Sequence, residues 1–480
     1  MPTLRIRLKP AVDFTFEQGI REIQQELDLP RAFPAEVEAA AARAAEHPRL
    51  PDQDRTDLPL VTIDPPGAMD LDQAMCLQRT ASGYVVFYAI ADVAAFVSAG
   101  DPVDLEAHRR GQTLYGADSR IPLHPPVLSE GAASLLPMAM RPAVLWTLQL
   151  DARAAIVAVD IQRARVMSRA RFDYASVQQA LDHGTAEPTW QLLREIGQLR
   201  QRLEIERGGV SLGLPAQEIG KQDGGWRLEY RSMDPVETWN AQVSLMAGMA
   251  AAQLMLKGKV GLLRTLPPPP ADAIARLRVT AHALGIDWSA TLDYPGFIRS
   301  LDPLRAGHVA MMTACTTVLR GAGYASFDGG LPSQPLHSAI AAPYAHVTAP
   351  LRRLGDRYAS EACLAINAGQ PVPAWVLEAL PALPAELRDS DRRANHYQRA
   401  IIDLAEALLL APRVGEIFHG SIVAVAAVPA RVGTVMLRDL AIEAQVSGLD
   451  AHALGDEVRV ELVEADPMRR VIRFRLQAEN

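Results

Sequence analysis

Three aspartates crowd one short stretch of the chain. Asp64 ends the apolar run Leu60-Val61-Thr62-Ile63, a Pro65-Pro66-Gly67 turn follows, and Asp70 and Asp72 stand two residues apart. In an extended segment that spacing points both side chains the same way, and the turn can bring Asp64 back against them. Carboxylates held together repel by roughly 1 kcal/mol per pair at about 4 Å in water, and by more when partly buried. A hard divalent cation relieves the repulsion; magnesium takes one or two carboxylates together with phosphate oxygens. Such a centre is what hydrolysis of a phosphodiester needs, with one or two ions activating water and stabilising the leaving oxygen. The competing reading is a plain polar turn, because Asp before Pro and Asp near Gly are ordinary loop chemistry.

The elements around this cluster divide the chain into three parts. Residues 1–57 read as a small helical module. Phe16, Ile20, Ile23 and Leu27 recur at helical spacing, Pro30 stops that helix, and Pro34 opens an alanine-rich second one. Two readings fit the pair: a helix-turn-helix winged by the alternating residues Leu4 to Leu8, or a simple helical cap on the main domain. Residues 58–412 mix strands and helices. Tyr84–Ile90 and Ala143–Leu150 are strand-like, 239–256 reads as a buried helix, Pro267–Pro270 as a rigid loop, and 372–410 as proline-bounded helices. Residues 413–480 carry five candidate strands (418–428, 431–437, 442–446, 457–464 and 471–476), the pattern of a small OB-type barrel. The fold class is therefore α+β and multidomain.

Composition narrows the function classes. Hydrophobic residues make up 49% and charged residues 22%, the balance of a water-soluble globular chain. No apolar run reaches the ~18 residues of a membrane span, and the N-terminus lacks the apolar core of a signal peptide. Cys76, Cys315 and Cys363 are scattered in apolar surroundings, which fits buried thiols in a reducing, cytoplasmic setting. The net charge of -8 argues mildly against a polyanion partner. Against that, almost all the positive charge is arginine, whose planar fork suits phosphate; a genome rich in G and C gives the same bias without functional meaning, so composition leaves the question open. No Gly-x-Ser-x-Gly elbow and no Walker-type loop compete as a catalytic motif.

The segment Asp64-x5-Asp70-x-Asp72-Gln73 resembles the metal-site signature of the ribonuclease II (RNB) family, Asp-x5-Asp-x-Asp-Asp, with Gln73 at the fourth acid. Ala89-Ile90-Ala91-Asp92-Val93 is similar to that family's His-Ile-Ala-Asp-Val strand. Thr113-Leu114-Tyr115 with Ile121-Pro122-Leu123 resembles the segment bearing its aromatic clamp, and Tyr344-Ala345-His346-Val347-Thr348-Ala349-Pro350-Leu351-Arg352-Arg353 its phosphate-holding stretch. Gly415, Phe418-x-Gly420 and Leu454-Gly455-Asp456 resemble an S1-type OB domain. Gln242 and Gln398 stand where family acids occur.

The resemblance implies a hydrolytic exoribonuclease that shortens single-stranded RNA from its 3′ end and releases nucleoside 5′-monophosphates. It implies Mg²⁺, as one or two ions with Mn²⁺ as substitute, on Asp64, Asp70 and Asp72 with Gln73 assisting. Asp72 and Arg352 would be catalytic, Arg352 holding the scissile phosphate with its direction fixed by Pro350. Tyr115 would clamp the terminal bases. His346, Thr348, Arg353 and Phe418 would contact RNA, the last by stacking, with His419, Arg431 and Arg438 as further barrel contacts. No membrane and no obligate protein partner is implied. The alternative is an RNA-binding regulator on the same scaffold with weakened catalysis, for which the amides Gln73, Gln242 and Gln398 speak. A structural histidine at 346, and an Asp356 that pairs with an arginine, are equally open.

Overall fold

The computed structural model describes residues 15–117, 119–212, 216–222, 225–302, 305–425, 432–438, 440, 442–449 and 454–477. The proposed wing at Leu4–Leu8, and Arg431, lie outside these residues. Strands β1 (Leu60–Asp64), β2 (Gln73–Arg79) and β3 (Gly83–Ala91) form a meander. A two-stranded hairpin follows, β4 (Leu114–Tyr115) with β5 (Arg120–Ile121). Strands β6 (Met140–Asp151) and β7 (Ile156–Asp173) then return to the meander. β1, β2, β3, β6 and β7 close into a barrel through parallel pairing of β1 with β7, which sets Asp64 beside Asp173. The mixed α/β reading of the sequence holds. It did not resolve this barrel: β7 spends residues on Arg163, Arg165, Arg169 and Arg171, so its apolar alternation is weak. Tyr88, Ile90, Val144, Trp146 and Leu148 fill the interior and continue into a long buried helix, Pro235–Gly258. That helix opens with a complete capping box, Asp234 at the N-cap and Glu237 at its third position.

The N-terminal helices α1 (Phe16–Glu26) and α2 (Ala35–Glu46) form where the periodicity placed them. They serve separate cores. Phe16, Ile20 and Ile23 pack with Tyr397, Ile401 and Leu404 of the long helix Leu383–Leu410, and Gln24 donates to the Tyr397 hydroxyl at 2.9 Å. Val37 and Ala41 join Leu58, Leu60 and Phe96 instead. The apolar faces of the two helices thus go to different cores. Near the C-terminus, strands Ile417–Val425, Val432–Leu437, Glu443–Ser447, Glu457–Asp466 and Val471–Leu476 close a second five-stranded barrel around Ile422, Val435, Val460 and Phe474. Among the described residues no helix is long and apolar enough to cross a membrane.

Candidate active site

The acidic segment is a loop between β1 and β2, pinned along its length. The Ala68 N–H donates to the Pro65 carbonyl at 3.2 Å, closing a turn with Pro66 and Gly67 in the middle. Gly67 takes φ +80, which the third position of such a turn requires and which glycine adopts without steric cost. Beyond the turn Leu71 is fully buried. Its N–H donates to Ser134 Oγ at 2.9 Å, and that hydroxyl donates to the Met69 carbonyl at 2.6 Å. One anchor on the buried Leu71 and one on Met69 leave the neighbouring aspartates little freedom.

A second segment, 344–353, arrives from the far end of the sequence to complete the site. The Leu351 N–H donates to Asp72 Oδ1 at 2.8 Å across 279 positions, and Arg352 Nε stands 3.4 Å from Asp72 Oδ2. The Arg352 side chain keeps 43% of its surface exposed. Its guanidinium therefore faces outward over an acid that is almost wholly buried. The backbone of this segment is also tied to the clamp region, because the Thr113 N–H donates to the Arg352 carbonyl at 2.9 Å.

Each predicted residue now has a place. Asp72 is buried, and burial pushes its carboxyl up to about 8 against the opposing pull of Arg352 and the Leu351 N–H. Burial likewise raises Asp64 to about 6, with Arg352 opposing and Asp70 adding to the rise. Asp64 Oδ2 is enclosed and has no hydrogen-bond partner. Asp70 turns toward Arg120, whose Nη1 lies 2.7 Å from its Oδ1. Among the described residues no three carboxylate, imidazole or thiolate side chains converge as a metal-holding group. Tyr115 is 47% exposed at the tip of the hairpin, and burial of its hydroxyl end, opposed by Arg352, raises its phenol to about 12.

Gln73 uses both ends of its amide. Nε2 donates to the Thr348 carbonyl at 2.7 Å, and Oε1 accepts from the Tyr88 hydroxyl at 2.6 Å, which in turn lies 2.7 Å from Ser244 Oγ. The side chain thus ties the start of β2 to the segment carrying Arg352. Gln242 is buried and donates to Glu204, and Gln398 lies on an exposed face of its helix.

Several of the expected RNA contacts are buried or already paired. Phe418 is 7% exposed and packs edge-on against Phe474 at 5.6 Å inside the C-terminal barrel, so no base can stack on it. Strand alternation puts His419 outside in its stead. Arg438, also exposed, pairs with Glu457 at 2.7 Å. Arg353 closes as a fork on the fully buried Asp356, with Nε–Oδ1 at 3.0 Å and Nη2–Oδ2 at 2.8 Å. Its donors are committed to that pair, as the open alternative for Asp356 had it. Thr348 is buried with its carbonyl on Gln73 and its hydroxyl 3.5 Å from Arg353 Nη2. His346 is half-buried, bonded through Nδ1 to the Tyr324 hydroxyl at 2.9 Å, and burial drives its pKa well down, leaving it neutral.

Sequence reading alone missed Tyr88, Ser244, Tyr174 and Arg120. Tyr174 hydroxyl accepts from Asn240 at 3.0 Å and is raised to about 12 by burial and by the charge of Asp64. Only Arg120 carried a usable signal, an isolated cation directly before Ile121-Pro122 in a segment already tied to the clamp.

An acid with an unpartnered buried oxygen, a second buried acid, and a half-open guanidinium above them fit a divalent cation and a phosphate. Uncompensated carboxylates in a low-dielectric site stay charged only when a cation or donors meet them. Known proteins resemble the chain over most of its length. Residues 52–364 match the model of the RNB domain, and residues 416–477 that of the RNase II-type exonuclease C-terminal S1 domain. Ribonuclease R of Escherichia coli K12 is 27% identical over 92% of the chain, which spans only 60% of that relative's length. The apo form of Mycoplasma genitalium RNase R superimposes with a TM-score of 0.85 at 21% identity, over 96% of this chain and 78% of that one. Yeast Ssd1, described as a pseudonuclease, superimposes at 0.69 with 16% identity, over 93% and 58%.

Proposed function

The chain belongs to the RNB-domain family, and on that premise we propose that it is a 3′-to-5′ exoribonuclease that hydrolyses single-stranded RNA to nucleoside 5′-monophosphates. The observation that carries this reading is the meeting of Arg352 with Asp72 at 3.4 Å beside the unpartnered oxygen of Asp64. We assign Asp64 and Asp72, joined by Asp70, to a divalent cation, Mg²⁺ with Mn²⁺ as substitute. Bound there, such a cation activates water and neutralises charge on the scissile phosphate. Arg352 offers its exposed donors to the non-bridging oxygens, where charge develops, and Asp72 fixes its direction from below. Tyr115, exposed on its hairpin, supplies a ring on which a terminal base stacks. Gln73 has no charge to lend a cation and works by holding Thr348 and Tyr88. We divide the chain at 57/58 and 412/413 into the N-terminal helices, the RNB region and the S1 barrel, and we place the protein in the cytoplasm, where its three buried thiols stay reduced.

One experiment tests the reading: a 5′-labelled single-stranded RNA with Mg²⁺ or with EDTA, beside Asp72→Asn. A ladder shortening from the 3′ end with Mg²⁺ alone, and absent in the variant, is the expected result. RNA that stays intact under all metals, together with a clear gel shift, would sink the catalytic reading. It would leave an RNA-binding regulator, the outcome that the likeness to a pseudonuclease and the occupied amide of Gln73 favour.

A further inference from the structure

Asp70 is the acid that stands apart, and what holds it is specific. Arg120 places Nη1 at 2.7 Å from Asp70 Oδ1 and Nη2 at 2.7 Å from Glu130 Oε1, so a single guanidinium spans two carboxylates with its two arms. Arg120 lies directly across the hairpin from Tyr115. Glu130 comes from the short helical turn Leu128–Ala132, just ahead of Ser134, which anchors Leu71 and hence the acidic loop. The three side chains are only partly exposed, at 27% for Arg120, 13% for Asp70 and 28% for Glu130. Attraction among them is therefore less screened than at an open surface.

We infer that Arg120 is a positioning residue that shares Asp70 with the cation, so that the clamp hairpin and the cation compete for one carboxylate. The inference rests on the cation reading above. With Arg120 on Asp70, the Tyr115 hairpin is fastened to the acidic loop and the cation has only Asp64 and Asp72. When Asp70 turns to the cation, Arg120 keeps Glu130 as its remaining anchor, and one arm of its fork is released beside Tyr115. Glu130 makes the exchange reversible: it draws off part of the guanidinium's hold on Asp70 and receives it when Asp70 leaves.

The test reads cation affinity directly, by Mn²⁺ binding to the full chain without RNA, followed by electron paramagnetic resonance or calorimetry. Arg120→Gln frees Asp70, and affinity should rise about fivefold, at the low end of couplings between groups in direct contact. Glu130→Gln leaves the guanidinium to Asp70 alone, and affinity should fall by a similar factor. In an Asp70→Asn background both effects should vanish. A mere background change in charge would persist there, so persistence overturns the inference, as does an Arg120→Gln affinity that is unchanged or lower. Should one variant fail to fold, the other carries the same cycle with the opposite sign. Asp72→Asn separates the two levels: Mn²⁺ binding that depends on Asp72 but ignores Arg120 and Glu130 refutes only this inference. Binding indifferent to Asp72 removes the cation reading together with it.

Discussion

Neutralising the two buried acids should remove a specific part of the protein's dependence on pH. Asp64 and Asp72 both have folded-state pKa values above the ordinary 3.8, at about 6 and about 8. Ionising them costs the folded chain more than the unfolded one. The stability they contribute is therefore complete below pH about 4 and is lost as pH rises through about 6 and then about 8. At 1.36 kcal/mol per pH step, Asp64 accounts for on the order of 3 kcal/mol and Asp72 for on the order of 6. A divalent cation held by the ionised pair returns part of this at high pH, about 2.7 kcal/mol at a hundred times its Kd, and has nothing to hold at low pH. The assay is a set of thermal melts in EDTA and in Mg²⁺ from pH about 5 to about 8.5, for the native chain and for Asp64→Asn/Asp72→Asn. In EDTA the native Tm should fall at least about 5 °C further than that of the variant, taking roughly 2 °C per kcal/mol. Mg²⁺ should raise the native Tm at the upper pH only. Glu406, Glu443 and Asp403 are also raised by burial, but they are common to both proteins and cancel in the difference. Superimposable pH profiles, or equal Mg²⁺ stabilisation at both ends, would refute the reasoning.

Three shorter expectations follow from the same geometry. Gln73→Ala leaves the Thr348 carbonyl and the Tyr88 hydroxyl without their amide, and should lower stability by about 3 kcal/mol in urea unfolding; Gln73→Glu, which sets an acceptor-only carboxylate against the Thr348 carbonyl, should cost at least as much. Asp356→Ala strands Arg353 and the Ala349 N–H, and a loss of about 3–5 kcal/mol is expected; a loss below about 1 kcal/mol would show that the pair is not the lock it looks like. Tyr115→Ala should weaken RNA binding in EDTA by roughly 5- to 150-fold in an anisotropy titration, the value of one base stack, whereas Tyr115→Phe should hardly change it.

The centre of the site was legible because its two halves are each compact in sequence. Asp64 to Asp72 and Tyr344 to Arg353 announce themselves by residue type and spacing. That the Leu351 N–H would reach Asp72 was not, since nothing local encodes a contact across 279 positions. Phe418 was misread although the remedy lay in the strand itself. Burial alternates along Ile417, Phe418, His419 and Gly420, and period two decides which of two neighbouring aromatics is wet. The first barrel escaped notice for a different reason: its closure depends on β1 pairing with β7 more than a hundred residues away, and β7 turns arginines outward. Periodicity placed α1, and Pro34 marked the start of α2. It could not say that their apolar faces would go to different cores, because a helix face records that it needs a partner and not which one.

That division has a consequence for how the chain is made. The bond from Gln24 to Tyr397 joins positions 373 residues apart, and an isolated helix as short as α1, 11 residues, is marginal in water. At about 5–20 residues per second of synthesis, the ribosome needs roughly 20–75 s after finishing α1 to deliver the last part of the surface that packs on it. During that interval Leu114, Ile121 and later Trp226, which meets Phe16 edge-on at 4.6 Å, are on hand to cover Phe16, Ile20 and Ile23. The first described helix of the chain is thus covered in stages, and a nascent chain arrested before residue 397 leaves the side of α1 that meets Tyr397, Ile401 and Leu404 open.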